Sequence, residues 1–295
     1  MIKVRVPATS ANLGAGFDSL GIALDLYNNM YMEEYDGIDI SPLDGTPIPT
    51  NEYNLVYQTV KRLYEECGKP FPGLRLQQEN NIPMARGLGS SSACIAGALV
   101  GANHLLHEPL SKQELLNLAA TLEGHPDNST PAILGGFTVS VFDGKTVLWV
   151  QKPMDDTLSF VAFIPNFPLK TSVARAALPK TVDHKDATYN LSRAALTAVS
   201  LFSGKYENLA ISMSDKLHQP YRLPLIRGAR EVFELSASLG ASATYLSGAG
   251  PTIMAVVGKD GEAFVENARQ KIKALGLKEW NPILLKADNT GTTVY

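Results

Sequence analysis

Residues 82–96 read IPMARGLGSSSACIA, and this stretch constrains the chain more than any other. Gly87-Leu88-Gly89 is a turn with little side chain to shield its backbone. Ser90, Ser91 and Ser92 follow, and then Ala93 to Leu106, an Ala-rich apolar run without proline that has the composition of a buried helix. A glycine-rich turn feeding a helix N-terminus leaves backbone N–H groups unpaired and aims the positive end of the helix dipole at the turn. Such a place binds anions, and a polyphosphate fits it. Glycines let the backbone approach a phosphate closely, and serines add donors and a hard oxygen for magnesium. A flexible loop before a core helix is the plainer reading. Pro83, the two glycines, the three serines and the alanine run together favour the anion site. G-x-x-x-x-G-K-[ST] is absent. No G-x-G-x-x-G lies between a strand and a helix with an acid downstream, so neither the Walker loop nor a dinucleotide fold is supported.

Two further glycine-rich segments accompany the loop. Residues 7–21 read PATSANLGAGFDSLG behind the strand-like Ile2–Val6, and residues 245–257 read YLSGAGPTIMAVV, a turn between two apolar runs. In this order and at these separations, the three segments resemble the three motifs of the GHMP small-molecule kinases. The central loop follows P-x-x-x-G-L-G-S-S through Pro83, Gly87, Leu88, Gly89, Ser90 and Ser91, with Ser92 where alanine is usual. The resemblance implies an α+β fold of two domains: a ribosomal-protein-S5-like N-terminal domain over 1–155 that binds nucleotide, and a ferredoxin-like C-terminal domain over 156–295. The implied activity is phosphoryl transfer from ATP, with Mg2+, to an alcohol. Glu123-Gly-His-Pro-Asp-Asn128, Thr171-Ser-Val-Ala-Arg175 and Asp215-Lys-Leu-His-Gln-Pro-Tyr-Arg222 resemble the branch whose acceptor is L-homoserine.

The bulk properties bound the domain count and the partners. A chain of 295 residues is long enough for two domains, and 45% hydrophobic with 19% charged residues is ordinary for a soluble protein. A net charge of −3 argues against nucleic acid or an anionic membrane as partner. No apolar run reaches membrane-spanning length, and Met1-Ile-Lys-Val-Arg begins a strand without a leader, so a cytoplasmic location is expected. Cys67 and Cys94 read as core thiols rather than a disulfide. A homodimer is left open.

Periodicity and punctuation predict the elements. Helices are expected over 54–67, 91–106, from the capping box Ser111-Lys-Gln-Glu114 to about 122, and over 187–203, 205–217, 224–238 and 261–275. Strands are expected over 74–78, 136–143, 147–151, 159–164, 242–247, 252–258 and 283–288, with Asp143-Gly144 as a hairpin turn and 153–158 as a linker.

The resemblance also implies roles. Pro83, Arg86, Gly87, Leu88, Gly89, Ser90, Ser91 and Ser92 would surround the phosphates, and Asn54 and Val56 would hold the adenine. Ser91 and Glu123 would bind the metal, since a hard cation takes oxygen ligands. Asp18, His125, Asn128, Arg175 and Arg222 would take the amino-acid acceptor, with the arginines on its carboxylate and Asp18 on its ammonium. Asn12 would orient the acceptor hydroxyl. Asp127 is open between general base and loop organiser. Without a base, catalysis would rest on orientation and charge stabilisation, which a loose transition state permits. Arg86 also has a plain reading as a solvent-facing charge. The Ser247–Pro251 turn is expected to pack on the phosphate loop. A GHMP kinase for an acceptor without an amino group, such as mevalonate, and a silent nucleotide or metabolite sensor are the competing readings.

Overall fold

A computed structural model describes all residues, 1–295. The N-terminal half is built on a seven-stranded sheet. Its strands are β1 (Ile2–Ala11), β2 (Leu20–Glu34), β3 (Gly37–Pro42), β4 (Gly73–Asn80), β5 (Phe137–Phe142), β6 (Val147–Lys152) and a last short strand, β11 (Thr293–Val294). The order is β11-β1-β2-β4-β3, with the β5–β6 hairpin on the far end of the long, bent β2. Only the β3–β4 pair is parallel. The helices on this sheet are α1 (Leu55–Glu66), α2 (Ser90–Leu105), α3 (Lys112–Glu123) and α4 (Ser129–Leu134). Ser111 and Glu114 form the capping box that opens α3.

The alanine run becomes α2, buried on nearly every side. Two of its glycines set how closely it lies on the sheet. A Cβ at Gly97 would come within 2.6 Å of the Val6 side chain, and one at Gly101 within 2.6 Å of Met32. Small residues on α2 let its axis settle against β1 and β2, which holds its N-terminus fixed beside the first glycine-rich segment.

The C-terminal half has an antiparallel sheet of order β10-β7-β9-β8, formed by β7 (Ser159–Pro165), β8 (Ala243–Leu246), β9 (Ile253–Val257) and β10 (Trp280–Leu285). Its helices are α5 (Thr171–Ala176), α6 (His184–Ser203), α7 (Leu209–Ser212), α8 (Gln219–Arg222), α9 (Ala229–Ser238) and α10 (Gly261–Ala274). Strand alternation divides this sheet between two cores. Phe160, Ala162, Tyr245, Met254 and Val256 face the first half and join its hydrophobic core. Val161, Phe163, Leu246, Ile253 and Ala255 face the other way, onto α9 and α10. The halves therefore share a core, and the 153–158 connector adds Met154 and Leu158 to it. The boundary expected at 155/156 falls in this connector, but β11 pairs with β1, so the final residues return to the first sheet.

Two expected helices are broken. Over 205–217 the chain makes one 3₁₀ turn and the four-residue α7, then turns at Asp215. The Asp215 carboxylate accepts the N–H groups of Leu217, His218 and Gln219, competing with helix continuation. Over 224–238, Pro224 and a left-handed Gly228 delay the regular helix to Ala229. No helix is long and apolar enough to cross a membrane.

Candidate active site

The three glycine-rich segments meet between the halves. They line a cavity of about 560 Å³ that adjoins a smaller hollow of about 240 Å³, with Leu55, Ala85, Ser90 and Ser91 in both walls.

The phosphate-loop wall is held from behind by its carbonyls. Ala85 O accepts from Leu169 N, Arg86 O from Thr252 N and Leu88 O from Thr9 N, at 3.1–3.2 Å. Gly87 O accepts from the Ser247 hydroxyl at 2.6 Å. Four successive carbonyls are thus turned into the protein, so an anion in the cavity does not meet them. Gly89 caps α2 in a left-handed conformation (φ 67°) with no side-chain cap, leaving the first-turn donors for a ligand. The glycines are needed for reasons other than phosphate access. A Cβ on Gly89 would sit 1.9 Å from the Thr9 hydroxyl, and one on Gly87 would sit 2.4 Å from Ser247 O. Ser90 and Ser91 line the cavity. The turn expected to pack on the loop does so, through Ser247 and Thr252.

Ser92, the departure from the family pattern, donates to Glu123 Oε1 at 2.5 Å, joining α2 to the end of α3. Burial pushes the Glu123 carboxyl from its ordinary 4.5 up to about 7, against the lowering effects of Ser92 and His125. Its other oxygen, Oε2, is buried without a partner. An orphaned carboxylate oxygen beside uncommitted serines is a donor set that suits a magnesium ion.

Several expected contacts are used up internally. The Arg86 guanidinium donates to the backbone carbonyls of Met84, Pro165 and Asn166, which ties the loop to the second half and commits three of its five N–H groups. Asn12 lines the cavity while donating to Gly248 O and accepting from Asp18 N, which fixes its amide and leaves one N–H and one lone pair for a hydroxyl. Asn54 caps α1 by accepting from Val56 N and Tyr57 N and donates to Pro49 O and Gln78, so it shapes the smaller hollow with its side chain already satisfied. Val56 lines that hollow, as does Cys94, whose thiol burial pushes up to about 12. Pro83 and Leu88 line neither space; Leu88 is an anchor in the core.

The opposite wall is built of ion pairs. Arg175, on α5, donates bidentately to Asp18 at 2.9 and 3.3 Å. Arg222, on α8, is 2% exposed. Its Nε donates to Ala174 O, and its Nη1 reaches Gly248 O and His218 Nδ1. Nη2 has no protein partner. Burial lowers the Arg222 pKa to about 10, leaving it cationic at neutral pH. His218 donates from Nε2 to Gly14 O at 2.8 Å, which leaves Nδ1 as acceptor for Arg222. Its ring stacks on Phe17 at 5.2 Å, and Phe17 also lies under both arginines.

Between the walls, His125 Nδ1 bonds Asp127 Oδ1 at 2.7 Å, and Asn128 Oδ1 accepts from Thr9 at 2.9 Å. Burial acts to lower the His125 pKa, but the Asp127 carboxylate outweighs it and the result is raised. Asp18, His125 and Asp127 offer ligand atoms within 4.8 Å of one another, an acidic nest facing the two arginines. Thr9, Phe17 and His218 were not singled out in the sequence, although each lies inside a quoted motif. A hydroxyl or ring in a motif carries no sign of which way it turns.

Residues 54–136 match the GHMP kinases N terminal domain, and residues 197–275 match GHMP kinases C terminal. The homoserine kinase of Clostridium beijerinckii is 46% identical over 100% of this chain and 98% of its own length. That of Caldicellulosiruptor saccharolyticus is 45% identical over 100% and 97%. The chain belongs to the GHMP kinases. Among solved structures, the homoserine kinase from Cytophaga hutchinsonii superposes with a TM-score of 0.87 at 26% identity, covering 100% of this GHMP kinase and 97% of that chain. A putative homoserine kinase from Listeria monocytogenes gives 0.81 at 30% identity, covering 100% and 99%. ATP is the phosphoryl donor of the family.

Proposed function

We propose that this GHMP kinase phosphorylates the side-chain hydroxyl of L-homoserine with ATP, giving O-phospho-L-homoserine for threonine biosynthesis in the cytoplasm. One observation carries the reading: Arg222, with its free Nη2, and the Asp18–Arg175 pair stand across the cavity from the phosphate loop. A zwitterionic acceptor can replace that internal ion pair with two of its own. Its carboxylate takes Arg175 and Arg222, and its ammonium takes Asp18 and the acidic nest. Mevalonate has no ammonium to offer the acidic side. Full-length similarity to homoserine kinases supports the same reading.

Ser91 and Glu123 would hold magnesium, which supplies charge stabilisation on the phosphates. The acceptor oxygen bonds to the γ-phosphorus as the bond to the β–γ bridging oxygen breaks. The hydroxyl proton passes to an oxygen of the transferred phosphoryl group once the transition state has formed, a sequence that a loose transition state allows. Asp127 is committed to His125 and Asn128, which favours loop organisation over action as a base. Asn128, held by Thr9, would place the acceptor beside the end of α2.

A coupled ADP-release assay against homoserine, mevalonate, galactose and shikimate tests the proposal. Turnover with homoserine far above the rest is expected. Turnover with mevalonate and none with homoserine overturns it, and no turnover with any acceptor favours the silent sensor.

A further inference from the structure

A triphosphate carries more negative charge than one divalent cation offsets, so its transfer calls for a further positive group at the γ-phosphoryl. The cavity walls contain five basic side chains: Arg86, His125, Lys170, Arg175 and Arg222. Four are engaged. Arg86 has three of its five N–H groups on backbone carbonyls, which hold it against the second half. Arg175 is paired with Asp18, and His125 with Asp127. Arg222 is held by Ala174 O, Gly248 O and His218 on the acceptor side. Lys170 Nζ alone has no hydrogen bond, ion pair or aromatic face to occupy it.

Its backbone is nevertheless fixed beside the phosphate loop. The preceding residue, Leu169, donates its N–H to Ala85 O at 3.1 Å, the first of the four anchored loop carbonyls. Lys170 is then the N-cap of α5, the helix that carries Arg175. It therefore stands where the donor wall and the acceptor wall meet. A lysine there is a compact charge on a flexible stem, able to follow a phosphoryl group from donor to acceptor.

We propose that Lys170 is a catalytic residue whose ammonium contacts the γ-phosphoryl group and stabilises the charge that develops on its oxygens during transfer. The assignment rests on ATP binding along residues 85–92. It does not depend on which alcohol accepts the phosphoryl. Lys170 donates hydrogen bonds and charge only. The bond formed is acceptor oxygen to γ-phosphorus, the bond broken is γ-phosphorus to the bridging oxygen, and the lysine keeps its protons.

The test compares Lys170→Met and Lys170→Arg with wild type in the full chain, with ATP, magnesium and whichever acceptor wild type phosphorylates. Wild-type turnover across the acceptor panel is measured first, so a wrong acceptor and a wrong lysine leave different records. Lys170 is exposed and unpartnered, and both variants are expected to melt with wild type. Lys170→Met should lower kcat by about 10- to 100-fold, at or below the range for loss of one preorganised donor because the group is solvent-accessible. KM for the acceptor should stay near its wild-type value. Lys170→Arg, which keeps the charge, should recover most of the loss. A wild-type kcat in Lys170→Met overturns the assignment. So does a raised acceptor KM with kcat intact, which would move the lysine to the acceptor, or an Arg variant as impaired as the Met variant.

Discussion

The two walls of the cavity solve the problem of charge differently. The donor wall, residues 85–92, is backbone turned so that its carbonyls are consumed behind it and its amides and hydroxyls remain in front. The acceptor wall is side chains already paired: Asp18 with Arg175, Arg222 with carbonyls and His218. The donor wall is preorganised by geometry and needs no internal counter-charge, because amides carry only partial charge. The acceptor wall carries full charges, and burying those unpaired is costly, so it neutralises itself until a zwitterion of matching pattern arrives. On the proposed reading, selectivity for the acceptor would follow from that exchange, since a ligand with one charge would leave half of the pair stranded.

Five substitutions probe this contrast, in descending size of effect. Glu123→Gln removes the carboxylate placed behind the donor wall, and kcat is expected to fall about 10²- to 10³-fold, since metal-borne charge stabilisation is worth several kcal/mol. An unchanged kcat at saturating magnesium would remove Glu123 from metal binding. The same variant reports on the buried charge. The folded-state pKa is raised, so in the absence of ATP and magnesium this group's contribution to stability is full below its ordinary 4.5 and is lost as pH rises through about 7. Melting curves of wild type should therefore fall relative to Glu123→Gln across that window.

Gly89→Val tests whether the donor wall is a matter of backbone. The new side chain would meet the Thr9 hydroxyl at a left-handed φ of 67°. Overpacking and the backbone penalty together should cost about 2–4 kcal/mol in denaturant unfolding. Wild-type stability with weakened ATP binding would instead return the glycine to a role in phosphate access.

On the acceptor wall, Arg175→Leu or Arg222→Leu should each cost about 1.5–3 kcal/mol, or about 10- to 150-fold in kcat/KM for homoserine, with KM for ATP nearly unchanged. An acceptor analogue without the carboxylate should be poor with wild type and much less sensitive to either substitution. If both variants keep normal homoserine kinetics, the amino-acid pocket lies elsewhere.

Ser92→Ala is the mildest. The Ser92 hydroxyl favours the ionised carboxylate, so its loss should raise the Glu123 pKa further. The acid limb of kcat/KM should move to higher pH, with little change at alkaline pH. A pH profile superimposable on wild type would show that Ser92 does not tune Glu123.

The legible parts of the site were those written in local chemistry. The loop, its helix, the capping box at Ser111 and the strands from 137 to 165 all follow from turn residues and periodicity, which act between near neighbours. Other residues named for a ligand share a different trait. Asn12, Asn54 and Arg86 have side chains whose chemistry suits a ligand, yet each also bonds groups the fold brings up: Gly248 O for Asn12, Gln78 for Asn54 and Pro165 O for Arg86. A polar residue near a motif cannot declare whether its partner will be substrate or backbone. The helix expected at 205–217 broke up and that at 224–238 began only at Ala229, because Asp215, Pro224 and Gly228 interrupt patterns whose apolar spacing is otherwise helical.

The family resemblance marked Asp18, Arg175 and Arg222 for an amino-acid acceptor; by itself, the sequence determined a glycine-rich turn ahead of a buried helix and an α+β chain. These depend on residue type and short spacing. Only the tertiary structure decided that Ser92 rather than Ser91 bonds Glu123, that Arg175 and Asp18 neutralise each other across 157 positions of chain, and that Lys170 is left unpaired between the walls. The reason is physical. Whether a charged or polar group is free depends on which distant partners burial presses against it, and that is settled by packing.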